Sequence, residues 1–171
     1  MTTAAAGPRL IVICGLPGAG KTTLARRLAE ETTALRLCPD EWLAGLGADL
    51  RDEAARERME AQLWRLAQEV LRLGRSVILE YGFWARSERD TMRQGARALG
   101  VAVELRYLDA PLDDLWRRIE RRNAQGSTGT ARITRADLES WSRVFQAPTP
   151  DELALFDEPA GESTQGRRMP R

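Results

Sequence analysis

The chain alternates short apolar runs with longer stretches whose apolar residues recur every three or four positions. Arg9 to Cys14, RLIVIC, has the length and character of a buried strand, and Lys21 to Thr32 places Leu24, Ala25 and Leu28 on one helical face. Leu35 to Cys38 predicts a short second strand ended by Pro39. A long helix is expected from Arg51 to Leu73, with Met59, Leu63, Leu66, Val70 and Leu73 turned inward. SVILEYG is a third strand, and Ser87 with Asp90 predicts a capped helix start that carries Met92, Ala96 and Leu99 inward until Gly100 stops it. VAVELRYLDAP supplies a fourth strand, and Pro111 opens a helix striped by Leu112, Leu115, Trp116 and Ile119. Thr134 with Asp137 begins a helix to about Trp141, and Thr149 with Glu152 caps a last short one. Strands separated by helices of this length predict an α/β fold, a mostly parallel sheet of four to five strands with helices on both faces.

After Arg122 the segment NAQGSTGTAR is small and polar, which predicts a small lid over residues 123–133. Residues 1–8 and 157–171 are expected to be flexible flanks of a single domain at 9–156. The balance of 26 Lys and Arg against 25 Asp and Glu disfavours a protein that coats nucleic acid or an anionic membrane. The chain has no histidine, so acid–base chemistry falls first to carboxylates. Its two cysteines make no disulfide framework, and the longest apolar run is too short to span a bilayer. MTTAAAGP lacks the basic start of a secretory signal, so a cytoplasmic setting is expected.

One stretch carries specific chemistry. Gly15, Leu16, Pro17, Gly18, Ala19, Gly20, Lys21 and Thr22 fit G-x-x-x-x-G-K-[ST], between a strand and a helix that continues with Thr23. The glycines let backbone N–H groups turn inward around phosphate oxygens, at a helix N-terminus that adds partial positive charge. Lys21 then reaches the β- and γ-phosphates, and the Thr22 hydroxyl can join a Mg²⁺ shell. This is the phosphate loop of a P-loop NTPase fold. Asp40 and Glu41 follow the second strand, and the carboxyl ends of parallel strands gather on one edge, so Asp40 is expected to face the same crevice. There it is either the base toward an attacking hydroxyl or the cap of the next helix, two roles that do not exclude each other.

GLPGAGKTTLARRLA, CPDEW, SVILE, RSERD and LDAPLDDLWRRIERRN, in this order over residues 9–123, resemble the small P-loop kinases that include chloramphenicol phosphotransferase, the zeta toxins and polynucleotide 5′-hydroxyl kinase, AAA-type ATP-binding proteins. The resemblance implies ATP as donor, Asp40 as base and a lid whose arginines close over the triphosphate. On the helix before the lid, Arg118 and Arg122 share one flank of the apolar stripe, with Arg117 and Arg121 nearer solvent. Arg122 is the first candidate for neutralising transferred charge and Arg118 the second, with Arg132 able to swing in on closure. The family's third strand ends in Asp near Mg²⁺; here Glu80 stands in that place, as metal-side group, acceptor contact or sharer of the base role. Glu41 and Glu80 are expected to line the acceptor crevice beside Asp40, Trp42, Phe83 and Trp84 either to line it with them or to pack under the helix of residues 51–73, and Arg86 and Arg89 to be available to an anionic group. These readings predict a Mg²⁺-dependent kinase that moves the γ-phosphoryl of ATP to a hydroxyl of a small molecule such as an antibiotic, nucleoside or sugar-like metabolite. The alternatives are a nucleotide-hydrolysing switch and a nucleic-acid 5′-hydroxyl kinase. Oligomeric state is left open.

Overall fold

Strict alternation along the first strand sorts the core into two layers. The computed structural model describes residues 7–126 and 132–159. Its elements are β1 (Arg9–Cys14), α1 (Lys21–Thr32), β2 (Leu35–Leu37), α2 (Pro39–Gly45), α3 (Glu53–Arg72), β3 (Val77–Gly82), α4 (Arg86–Ala98), β4 (Ala102–Tyr107), α5 (Leu112–Gln125), α6 (Arg135–Val144) and α7 (Pro150–Leu153). The four strands lie in the order β2-β3-β1-β4, all parallel. Ile11 and Ile13 of β1 join Ile78 of β3 and Ala25 and Leu28 of α1 on one face. Leu10, Val12, Leu79 and Val103 meet Leu63, Ala67 and Leu71 of α3 and Ala96 of α4 on the other. A third cluster, Leu115, Ile119, Ile133 and Leu138, packs α5 and α6 against Leu16 and Ala19 of the phosphate loop.

Several local expectations shift. The inward face of α3 is centred on Leu63, Ala67 and Leu71 with Met59, Leu66 and Val70 packed beside them as expected, whereas Leu73 is 79% exposed, past the end of the helix at Arg72. Helix α4 begins at Arg86 rather than after Ser87, and its cap is the Glu88 carboxylate accepting the Ala85 N–H at 2.8 Å. Helix α6 runs to Val144, past Trp141, from the Thr134–Asp137 capping box that the sequence predicts. No fifth strand exists among the described residues. Instead Asp157 clasps the β4 edge: its N–H donates to the Val103 carbonyl at 2.8 Å, and its carboxylate accepts the Val103 N–H at 2.7 Å. Arg9 donates to the Glu158 carbonyl at 2.6 Å, so the packed chain extends beyond residue 156.

Thr149 accepts the Glu152 N–H, but the Glu152 side chain does not return to the cap. It is buried against Arg89, whose Nε and Nη2 reach its two oxygens at 2.6 and 2.9 Å, while Nη1 donates to the Phe83 carbonyl at 2.9 Å. With side chains 0% and 1% exposed, this pair ties α7 to the start of α4. Arg89→Met strands a buried carboxylate and is expected to cost about 3–5 kcal/mol in urea unfolding. A loss below about 1 kcal/mol would mean that Glu152 finds water or another donor.

Candidate active site

At the end of β1 the chain enters the phosphate loop, whose shape depends on Gly18. Its φ is +82°, and a Cβ there would lie 2.8 Å from the Leu115 carbonyl and 3.1 Å from Ile119, so the loop rests directly on α5. Helix α1 starts without a side-chain cap, which leaves its first N–H groups to an anion. Lys21 Nζ folds back onto the loop, donating to the Gly15 and Leu16 carbonyls at 2.8 and 3.0 Å. Burial pulls its pKa from 10.5 down to about 8, against the opposing pull of the Glu80 and Asp40 carboxylates.

Glu80 shares strand parity with Ile78 and therefore projects to the α1 side of the sheet. There its Oε1 accepts the Thr22 hydroxyl, bringing together the two residues that the sequence assigns to a cation. Its Oε2 accepts Arg36 Nε at 2.7 Å. Arg36 was not among the sequence candidates; the available signal is that Leu37 faces the opposite layer, which turns Arg36 toward Glu80 from the adjacent strand. Both terminal nitrogens of Arg36 grip Glu41 at 2.8 Å, and Arg26 adds a third bond at 3.1 Å. These bonds draw Glu41's carboxylate below the usual range, Arg36 contributing most, and commit it to the arginines rather than to an acceptor.

Asp40 sits in the first turn of α2, and its Oδ1 accepts Arg56 Nη1 at 2.6 Å. Its Oδ2 accepts no hydrogen bond among the described residues. Arg56, on α3, also donates to the Leu50 carbonyl at 3.0 Å. One helical turn further on that face is Glu60, whose carboxyl is pushed up to about 7 by burial, against the pull of Arg56. Neither Arg56 nor Glu60 stands out in the sequence, since both read as solvent positions of an amphipathic helix.

The arginines of α5 separate only in part as their helical phase predicts, since Arg118 is exposed with Arg117 and Arg121. Arg117 is exposed and paired with Asp114, and Arg121 is exposed. Arg118 Nη1 donates to the Gly18 carbonyl at 3.2 Å from an exposed position. Arg122 differs: its Nε and Nη2 are buried without a hydrogen-bond partner among the described residues. Burial lowers its pKa, and the field of Asp40 opposes that shift. Residues 127–131 of the expected lid lie outside the described residues; its ends are stapled by Asn123 Nδ2 donating to the Ile133 carbonyl at 2.7 Å. Arg132 is exposed, and its carbonyl accepts Arg51 Nη2 at 2.6 Å.

The acceptor-side expectations change most. Trp42 lines an apolar groove of about 570 Å³ with Leu46, Met59 and Leu66. Phe83 is a core residue, 5% exposed and stacked on Tyr81 at 5.0 Å. Trp84 leans on Trp141 at 5.5 Å. Arg86 is half exposed and paired with Asp90 at 3.6 Å, and Arg89 is consumed by Glu152. Phe83 is thus spent on the core and Arg89 on Glu152, rather than on an acceptor.

The residues present fit a Mg²⁺-bound triphosphate. Two unpartnered guanidinium nitrogens, a shielded ammonium and an uncapped helix start converge with no internal anion to satisfy all of them. Among the described residues no group of three or more acidic or thiol side chains forms a protein cage for a metal. Thr22 and Glu80 offer only a partial donor set, which suits Mg²⁺, an ion that takes its remaining ligands from phosphate and water.

Comparison with known proteins bears on the fold. A family model described as an AAA domain matches residues 10–148. Among solved structures, a candidate kinase from Chloroflexus aurantiacus j-10-fl is 29% identical, covering 84% of this chain and 83% of its own at a TM-score of 0.69. A sugar kinase from Janibacter sp. HTCC2649 is 25% identical over 85% and 82%, with a TM-score of 0.60. The Mycobacterium tuberculosis APS kinase in complex with AMPPNP and APS is 25% identical over 71% and 73%, with a TM-score of 0.55. No curated protein matches by sequence. A phosphate loop on a parallel sheet, matched over most of its length, thus makes this chain a member of the AAA domain family, of the P-loop kinase-like kind.

Proposed function

We propose that the protein is an ATP-dependent phosphotransferase that moves the γ-phosphoryl group to a hydroxyl of a small molecule, with Mg²⁺ required. The observation that supports this reading is that Lys21 stands in the fields of Glu80, Asp40 and Arg122 together, the arrangement expected if phosphate binding, cation binding and a carboxylate base share one crevice. A switch needs no such base. In the proposed step the acceptor oxygen bonds to the γ-phosphorus, the bond to the bridging oxygen of ADP breaks, and the hydroxyl proton passes to Asp40 Oδ2. Arg56 holds the other carboxylate oxygen and so fixes which one faces the acceptor. Lys21 and the first N–H groups of α1 would bind phosphate oxygens, and Thr22 with Glu80 would hold Mg²⁺, which would neutralise phosphate charge. Arg122 moves no atom of the reaction; its unpartnered nitrogens stabilise the charge on the transferred group, with Arg118 beside the loop. The similarity to a kinase of sugars and a kinase of APS, the latter holding AMPPNP, supports ATP and a small acceptor.

The test is ADP release from Mg-ATP, alone and with pools of sugars, nucleosides, hydroxylated antibiotics and 5′-hydroxyl oligonucleotides. At least one small-molecule pool is expected to raise the rate well above background. Stimulation by oligonucleotides alone would make the protein a nucleic-acid kinase, and slow hydrolysis indifferent to every pool would favour the switch.

A further inference from the structure

We infer that Arg36 is a positioning residue of the cation site, one that aims Glu80 at Thr22 and links that carboxylate to the helix carrying Asp40. The inference rests on the reading that Thr22 and Glu80 hold Mg²⁺. Arg36 lies in the middle of β2, its side chain 14% exposed, on the same face as Glu80 in the neighbouring strand. Its three guanidinium nitrogens are all used. Nε donates to Glu80 Oε2 at 2.7 Å, and Nη1 and Nη2 donate to the two oxygens of Glu41 at 2.8 Å each.

The division of labour on Glu80 is what gives the contact a function. A side chain with three torsions, one longer than aspartate, can place either oxygen at the phosphate loop. With Oε2 held from below, Oε1 alone remains for the Thr22 hydroxyl and for a cation beside it. Glu80 is 4% exposed and would otherwise be a buried carboxylate without a cationic partner on that oxygen. The second end of the fork matters equally. Glu41 is the residue after Asp40 in the first turn of α2, so a displacement of Arg36 is felt at the cation side and the base side together. A lysine offers one charged nitrogen in place of a planar fork and cannot serve both carboxylates in this geometry.

The test reads metal binding apart from turnover: Mn²⁺ titrated onto the ADP complex and followed by electron paramagnetic resonance, for the parent, Glu80→Gln, Arg36→Met and Arg36→Lys. Arg36→Met and Glu80→Gln are each expected to weaken Mn²⁺ by about tenfold or more with metal-free ADP affinity nearly unchanged, as for other residues that orient a metal ligand; Arg36→Met also strands the buried Glu80 carboxylate and lowers the thermal midpoint, so the titrations are run well below it. Arg36→Lys is expected to recover little of the loss, since charge returns without the fork. Parent-like Mn²⁺ affinity in Arg36→Met, alongside weak binding in Glu80→Gln, would overturn the role of Arg36 and leave the cation reading standing. Parent-like affinity in Glu80→Gln would overturn both. Full recovery in Arg36→Lys would reduce the role to charge alone, and a loss of metal-free ADP binding in both Arg36 variants would make Arg36 a strut of the fold; either outcome overturns positioning.

Discussion

Lys21→Ala is expected to lower acceptor phosphorylation by about a thousandfold, because it removes a preorganised cation from the place where charge develops on the transferred group. A second readout of the same residue does not depend on turnover. In the nucleotide-free protein burial depresses the pKa of the Lys21 ammonium to about 8, against the pull of the Glu80 and Asp40 carboxylates. A phosphate brought to Nζ favours the charged form. Below pH 8 the lysine is protonated before and after binding, so no proton is taken up; above pH 8 the free protein has lost the proton and binding must restore it. Nucleotide affinity should therefore fall as pH rises through 8 to 10, by up to tenfold per pH unit. Calorimetry of ADP binding in two buffers of different ionisation enthalpy should show uptake approaching one proton near pH 9 in the parent and none attributable to this site in Lys21→Ala. A parent titration without uptake would mean that Nζ does not meet the phosphate. The same depression has a consequence for stability. Between pH 8 and the ordinary lysine value of 10.5 the unfolded chain binds the proton that the folded chain lacks, so this residue's contribution to stability rises with pH across that window.

Asp40→Asn should lower kcat by about 10²- to 10⁴-fold while nucleotide affinity stays nearly unchanged. The amide oxygen of the variant can still accept the Arg56 N–H, so helix α2 keeps its anchor to α3 and the loss isolates proton transfer from folding. Near-normal acceptor turnover would remove Asp40 from the base role and direct attention to Glu60, whose carboxyl titrates near neutrality, or to Glu80. A large loss of nucleotide binding would instead mean that the negative charge of Asp40 is needed to hold Lys21 and Arg122 in place.

Much of the fold follows from local rules. The two-residue alternation in RLIVIC and SVILE assigns each side chain to a layer, and the capping box at Thr134 starts its helix where the sequence predicts. Thr22, Glu80, Asp40 and Arg122 could be selected from motif spacing, strand ends and helical phase, because all of these are short-range properties. Arg36, Arg56 and Glu152 could not, because each owes its place to a partner 44, 16 or 63 positions away in the chain. Arg89 shows the opposite error, in which nearness along the chain to Glu80 suggests nearness in space, since it is spent on a buried carboxylate. Trp42 takes the second of its two expected places, in a groove with residues of α3.

By itself, then, the sequence determined the parallel α/β architecture, the phosphate loop and its position between strand and helix, since these depend on periodicity and on glycines that permit a particular backbone path. Only the tertiary structure decided which charges meet. Register between β2 and β3 brings Arg36 to Glu80, the packing of α3 beside α2 delivers Arg56 to Asp40, and the seating of α5 on Gly18 accompanies a guanidinium at Arg122 left without a partner among the described residues. The physical reason is that an ion pair is selected by distance and desolvation, both of which come into being only when separate elements pack together.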